Sequence, residues 1–182
     1  EGLSVRGAHG RTGTADFSGI ISKMQHGGPI HLGWKMDMDT AGRARADFGN
    51  GSGIGNDYLS VTHPAVVTNG NWHHLVATYD GAVAFFYVDG TPGPPESGTG
   101  FLTANTRTLI IGNDDCCAGR FFHGEIDEAS IYNRALSVAE VQALFNAGSA
   151  GKCTTPALTI FRSTTNTAVV LWPSPSTGFG LQ

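Results

Sequence analysis

Hard oxygen donors are the most conspicuous chemistry-bearing groups of this 182-residue sequence. Asn113, Asp114 and Asp115 form one polar stretch, and Asp127 follows at no great distance. Calcium takes six to eight oxygens, commonly Asp carboxylates and loop carbonyls, so these four are the candidate calcium ligands. Their local reading is that Asn and Asp close turns with their own side chains. Seven His invite a zinc reading, which spacing does not support. His73 and His74 are adjacent, so on a strand they point to opposite faces. His9, His26, His31, His63 and His123 lie in separate segments without ligand spacing. Nucleophilic catalysis and phosphate cradling lack support too, because no Ser/His/Asp context and no Gly-rich loop opening a helix is present. A sugar site needs an aromatic face for C–H stacking beside paired polar groups for hydroxyls. Trp34, Tyr58, Arg45 and Asn113 are the residues that could converge for it, with core packing the competing fate of Trp34. The three cysteines are Cys116, Cys117 and Cys153. An odd count cannot pair fully within the chain, and the expected bridge joins Cys153 to Cys117 or to Cys116, with free thiols as the alternative. Asn50-Gly51-Ser52 fits a glycosylation sequon, but Asn-Gly is read here as a turn.

Composition limits what can position these groups. Hydrophobic residues at 40% suffice for a sizeable core, whereas 26 Gly and 14% charge fit many short strands with tight turns. A net charge of −4 without a Lys/Arg cluster argues against nucleic acid or an anionic membrane as the main partner. No apolar run approaches the roughly 18 residues of a membrane span. The sequence starts without a Met or a signal peptide and reads as a processed or trimmed product.

The organising element is a hairpin, with strands over 72–79 and 83–88 joined at Asp80-Gly81. Both parities of each strand carry apolar groups, which places the ribbon in the middle of a sheet covered on both sides, or covered on one and grooved on the other. Shorter strands are expected over 19–24, 30–38, 43–48, 58–62 and 65–67, a buried one over 108–112, and a last long one within 121–132. Residues 91–100, with three Pro and three Gly, read as a surface loop. One helix follows. Ser137 and Glu140 form a capping box, Leu136 and Val141 occupy the staple positions, and Gly148 supplies the stop. Val138, Val141, Leu144 and Phe145 share its apolar face. The domain is read as residues 1–149, with 150–156 as linker. Residues 157–182 form a β-hairpin too small to bury a core alone: the start of a second sandwich or an inter-subunit strand pair.

The runs Trp72 to Gly81, Tyr87-Val88-Asp89-Gly90, Leu109-Ile110-Ile111-Gly112 and Phe122 to Ser137 resemble the laminin-G-like, concanavalin-A-like jelly-roll modules of secreted bacterial proteins. The resemblance covers roughly residues 1–149. It implies an all-β, two-sheet antiparallel jelly-roll sandwich ending in a short helix, an extracellular location, and a glycan-binding or adhesive role toward a glycan or extracellular protein. It also implies bound calcium, with Asp127 the favoured ligand. Such modules usually begin with a strand upstream of the one holding Leu3 and Val5. Its absence here predicts an open sheet edge beside that strand. Laminarinase-type glycoside hydrolases of this fold carry Glu-x-Asp-x-x-Glu, whose outer carboxylates share the chemistry about 5 Å apart. Here Glu125-Ile126-Asp127 is followed by Ser130 in the second position, and Ala129 fails equally. The expectation is therefore a non-catalytic module. The alternative is a structural subunit of an extracellular filament or surface assembly, self-associating by addition of the C-terminal hairpin to the open edge.

Overall fold

The structure, a computed structural model, describes residues 2–6, 17–27, 30–53, 57–114, 116, 119–148, 159–162 and 168–171. In chain order the elements are β1 (Gly2–Arg6), β2 (Ser18–Ser22), β3 (Gln25–Gly27), β4 (Ile30–Met38), β5 (Arg43–Asn50), β6 (Tyr58–Val66), β7 (His74–Tyr79) and β8 (Val83–Val88). Then come β9 (Thr91–Pro92), β10 (Glu96–Ser97), β11 (Ile110–Ile111), β12 (Asp127–Tyr132), α1 (Val138–Asn146), β13 (Thr159–Arg162) and β14 (Ala168–Leu171). One antiparallel sheet runs β10-β8-β7-β1-β12, with β9 beside β8. The second runs β11-β2-β4-β5-β6, with β3 beside β4. Residues 1–148 form one compact unit and 149–182 another, in which β13 and β14 pair with each other.

Strand alternation sorts side chains between core and exterior. Trp34, Met36 and Met38 on β4 oppose Phe48, Ala46 and Ala44 on β5, and all six are buried in the main core. Leu75, Ala77 and Tyr79 of β7, with Ala84, Phe86 and Val88 of β8, supply the other wall of that core. Tyr79 stacks on Phe48 with ring centres 5.2 Å apart, joining the two sheets. The opposite parity of the hairpin is apolar for a second reason. Val76 and Tyr87 meet Leu136 and Val141 in a smaller cluster, so α1 covers the outer face of that sheet. The helix starts as expected: the Ser137 side chain accepts the Glu140 N–H, and the Glu140 carboxylate accepts the Ser137 N–H. Val138 and Phe145, expected on the buried face, are exposed, and Val141 is the residue α1 buries.

Three local expectations are corrected. β1 has no open edge, because it pairs with β7 on one side and β12 on the other. Residues 58–66 are one strand, and Pro64 interrupts nothing because β6 is the border strand and the register shifts between Arg43 and Arg45 opposite it. The 108–112 segment is not a buried strand: only Ile110–Ile111 pairs, and Ile111 is half exposed at the other border. Residues 91–100 also contain the two-residue strands β9 and β10. Asn50-Gly51 forms a turn, with Gly51 at φ +72° and the Asn50 side chain accepting the Ser52 N–H at 2.9 Å.

Candidate functional site

The second parity of β4, β5 and β6 faces away from the core and is charged. Lys35 opposes Asp47, which opposes Ser60; Asp37 opposes Arg45, which opposes Thr62. Carboxylates and cations stand in adjacent cross-strand positions, where opposite charges attract. The turn that sets this register is made by Asp39, whose carboxylate accepts the N–H groups of Ala41 and Arg43 at 2.9 Å each.

These charges are buried. Lys35 Nζ lies 2.9 Å from Asp37, 3.0 Å from Asp114 and 3.5 Å from Asp47, with 5% of its side chain exposed. Arg45 grips Asp37 with two parallel hydrogen bonds, Nε to Oδ1 at 2.6 Å and a terminal nitrogen to Oδ2 at 3.0 Å. Burial opposes the charge of Lys35, but Asp37, Asp47 and Asp114 outweigh it and hold the ammonium above its ordinary range. Arg45 is likewise raised: burial opposes its charge, and Asp37 and then Asp47 overcome that. Burial also raises the Asp47 carboxyl, the like charge of Asp37 adds to the rise, and Arg45 and Lys35 do not fully offset it. Asp47 Oδ1 is buried without a hydrogen-bond partner.

Asp114 reaches this layer from the loop after β11. Its Oδ1 lies 3.0 Å from His26 Nε2 and 3.4 Å from Ser22 Oγ, its Oδ2 accepts from Lys35, and Arg120 stands 3.6 Å away. Burial works against the carboxylate, but His26 and Lys35 prevail and hold it well below the usual range. Gly19 permits the approach. A Cβ there would lie 2.3 Å from the Asp114 nitrogen, and its own N–H donates to the Arg120 carbonyl at 2.9 Å. Asn113, Asp114 and Arg120 are thus held against Gly19 of β2.

Above the ion layer is a cavity of about 450 Å³, within the size range of small-ligand sites. One wall is aromatic: His26 meets His31 edge-on with centres 5.2 Å apart, and His31 meets Tyr58 at 5.1 Å. The His31 ring is fixed by Asp57, 2.7 Å from its Nδ1. Facing it, the guanidinium carbons of Arg45 and Arg120 lie 4.1 and 5.1 Å from the centre of the Phe17 ring. Lys35, Asp47 and Cys116 also line the cavity.

Of the residues expected to bind a sugar, Arg45 and Tyr58 line this cavity together. Trp34 does not join them. It is 7% exposed in the core, on the other face of β4. Asn113 is half buried, and its side-chain oxygen has no partner. Among the expected calcium ligands, Asp114 is committed to Lys35 and His26, and a divalent cation there would sit against an ammonium and a guanidinium. Asp127 is exposed on β12 of the other sheet, its carboxylate accepting the Glu128 N–H at 2.8 Å. No hydrogen bond or ion pair among the described residues links Asp127 to Asn113 or Asp114. Around Asp114 the described grouping of His, Cys and carboxylate atoms is mixed and not all oxygen: single ligand atoms of His26, Asp114 and Cys116 lie within 4.8 Å of one another. That grouping joins segments whose sequence spacing had seemed to forbid it. Asp115, Cys117 and Cys153 lie outside the described residues, and the expected disulfide with them. Glu125 and Asp127 are both exposed.

A sandwich of two antiparallel sheets is the concanavalin A-like architecture, here with a ligand-sized cavity on one outward face. The chain belongs to the laminin G family of the Concanavalin A-like lectin/glucanases superfamily, whose family model matches residues 10–142. Its fold is similar to the binding domain of Paraclostridial Mosquitocidal Protein 1, with a TM-score of 0.62 at 17% identity over 80% of this chain and 36% of that one. It is also similar to the CBM40 of a Ruminococcus gnavus IT-sialidase, with a TM-score of 0.62 at 16% identity over 79% of this chain and 81% of that one. Domains LG4-5 of the mouse laminin alpha1 chain align with a TM-score of 0.52 at 20% identity, over 76% of this chain and 36% of theirs. The chain thus spans about a third of the length of the first and third of these structures. No curated protein sequence matches.

Proposed function

We propose that the protein is a non-catalytic glycan-binding module that acts outside the cell, holding a sugar in the cavity between Tyr58, His31, Arg45 and Arg120. The observation that supports this most is the ion layer. Buried ion pairs repay their desolvation poorly, so a layer of Lys35, Arg45, Asp37, Asp47 and Asp114 beneath an open cavity is better understood as a rigid base for hydrogen-bonding groups. The aromatic edge at Tyr58, 38% exposed, offers a face for C–H stacking. The similar folds include a sialidase carbohydrate-binding module and toxin binding domains, which agrees with binding as the task. Calcium has no part in this reading, since cations already hold Asp114. Hydrolysis is not proposed, because Ser130 stands where a second acid is needed beside Glu125.

Titration calorimetry of the full chain against an oligosaccharide panel tests the proposal. At least one sugar should bind without releasing new reducing ends. Tyr58→Ala should weaken that sugar roughly 3- to 10-fold, the range of one aromatic contact. A panel that yields no binder, or a binder indifferent to Tyr58→Ala, would refute it.

A further inference from the structure

The charged groups around the cavity are layered. Asp37 and Asp114 lie underneath, with 1% and 0% of their side chains exposed. The guanidinium groups of Arg45 and Arg120 lie above, 17% and 21% exposed, and line the cavity. Total charge is close to balanced, but a ligand in the cavity meets donors first and carboxylates behind them. The Coulomb energy falls with distance, so the nearer layer decides. Among the described lining residues Asp47 is the one carboxylate, and burial and Asp37 both push it toward its neutral form.

The two guanidinium groups share a neighbour and a cavity. Their central carbons lie 4.1 and 5.1 Å from the centre of the Phe17 ring, and both residues line the cavity, so an anion entering it meets two cationic groups. Arg45 is held by Asp37 through Nε and one terminal nitrogen, leaving its second terminal nitrogen outside that fork. Arg120 stands 3.6 Å from Asp114, an ion pair longer than a hydrogen bond. Its charge is balanced, but that carboxylate does not use its donors.

Building on the glycan reading, we infer that the cavity selects a sugar bearing a carboxylate, seated on the guanidinium groups of Arg45 and Arg120 over Phe17, with the ring of the sugar against Tyr58 and His31. A planar fork matches a carboxylate better than it matches a hydroxyl pair. No covalent step is involved.

The test compares an oligosaccharide ending in a hexuronic acid with the same oligosaccharide after reduction of that carboxyl to the neutral hexose, titrated into the full chain. The acid should bind roughly 10- to 100-fold tighter, the range of charge-assisted hydrogen bonds, and its advantage should shrink as salt rises. Arg120→Gln should reduce that advantage to below about threefold, while Arg120→Lys, which keeps the charge without the fork, should fall between. Far-ultraviolet dichroism and melting of each variant report whether it folds, and the acid-versus-neutral comparison on the unaltered chain stands without them. Equal binding of the two forms, or tighter binding of the neutral one, overturns the carboxylate inference and leaves the glycan reading intact. An advantage that survives Arg120→Gln in folded protein overturns the placement. Failure of both sugars, with failure of the wider panel, overturns the glycan reading itself.

Discussion

Replacing Lys35 by Met probes the ion layer directly. Met fills similar volume without charge, so the change isolates electrostatics from packing. Three carboxylates lie within 3.5 Å of the ammonium, and all are nearly inaccessible to water. Asp37 keeps Arg45 and Asp114 keeps His26 and Arg120, whereas Asp47 retains a 3.5 Å contact with Arg45 and its hydrogen bond with Ser60. Removing one partner of a buried ion pair costs about 3–5 kcal/mol. In a unit of this size each kcal/mol moves the melting temperature by about 2–4 °C, so a fall of roughly 6–20 °C is expected at pH 7. The cost should depend on pH with a definite sign. Without Lys35 the folded-state carboxyls of Asp47 and Asp114 lose a cation that lowers them and so rise, and a raised carboxyl favours the folded state at low pH, losing that advantage as pH rises through its new value. In the unaltered protein Asp114 is depressed, so its contribution is present above about pH 4 and is lost as pH falls. The two urea-derived stability curves should therefore converge as pH falls below about 4. A loss under about 1 kcal/mol at pH 7, or one independent of pH, would refute the view that the network is held together by its central ammonium.

Other changes follow from the same geometry. Gly19→Ala should destabilise by about 1–3 kcal/mol and weaken ligand binding together, because its Cβ would press the Asp114 backbone out of place; thermal melting and titration check the pair. Ser137→Ala removes the helix cap and should cost about 1 kcal/mol, measured by urea unfolding. The Arg134 and Ser137 hydrogen bonds hold the Glu140 carboxyl down to about 2. The helix anchor should accordingly be intact above about pH 4.5 and weaken as pH falls toward 2, visible in helical dichroism. Phe86→Ala, at a fully buried position between the sheets, should cost about 3–5 kcal/mol in the same unfolding assay.

The fold was legible because its main signals are local. Asp80-Gly81 between two apolar runs gives the β7–β8 hairpin, and the Ser137/Glu140 spacing gives the start of α1. The borders were harder, since a proline read as a break in β6 is tolerated where no neighbouring strand needs its missing N–H. The site was mostly hidden. Arg45 and Tyr58 were reached through their chemistry, and of the two fates weighed for Trp34 the structure shows core packing. Its parity with Met36 and Met38 already placed it in the core. Lys35, Asp37 and Asp47 were not singled out, because alternation cannot tell a wet surface from a covered one. A signal did exist: folding the chain about the turn at Asp39 to Gly42 sets Lys35 against Asp47 and Asp37 against Arg45. His26, Asp114 and Arg120 could not be found this way, since they arrive from a neighbouring strand and a distant loop.

Pro64 has a consequence for the company this protein keeps. It lies on the border strand β6, where the backbone would otherwise present a continuous row of donors and acceptors. An imino acid midway along that row removes a donor and caps how far a foreign chain could zip along it. That flank, next to Tyr58 and the cavity mouth, is thereby protected against fibril-like growth while staying open to small solutes. A glutamine or threonine at position 64 would restore the missing donor, and concentrated solutions of such a variant should clump sooner than the parent protein.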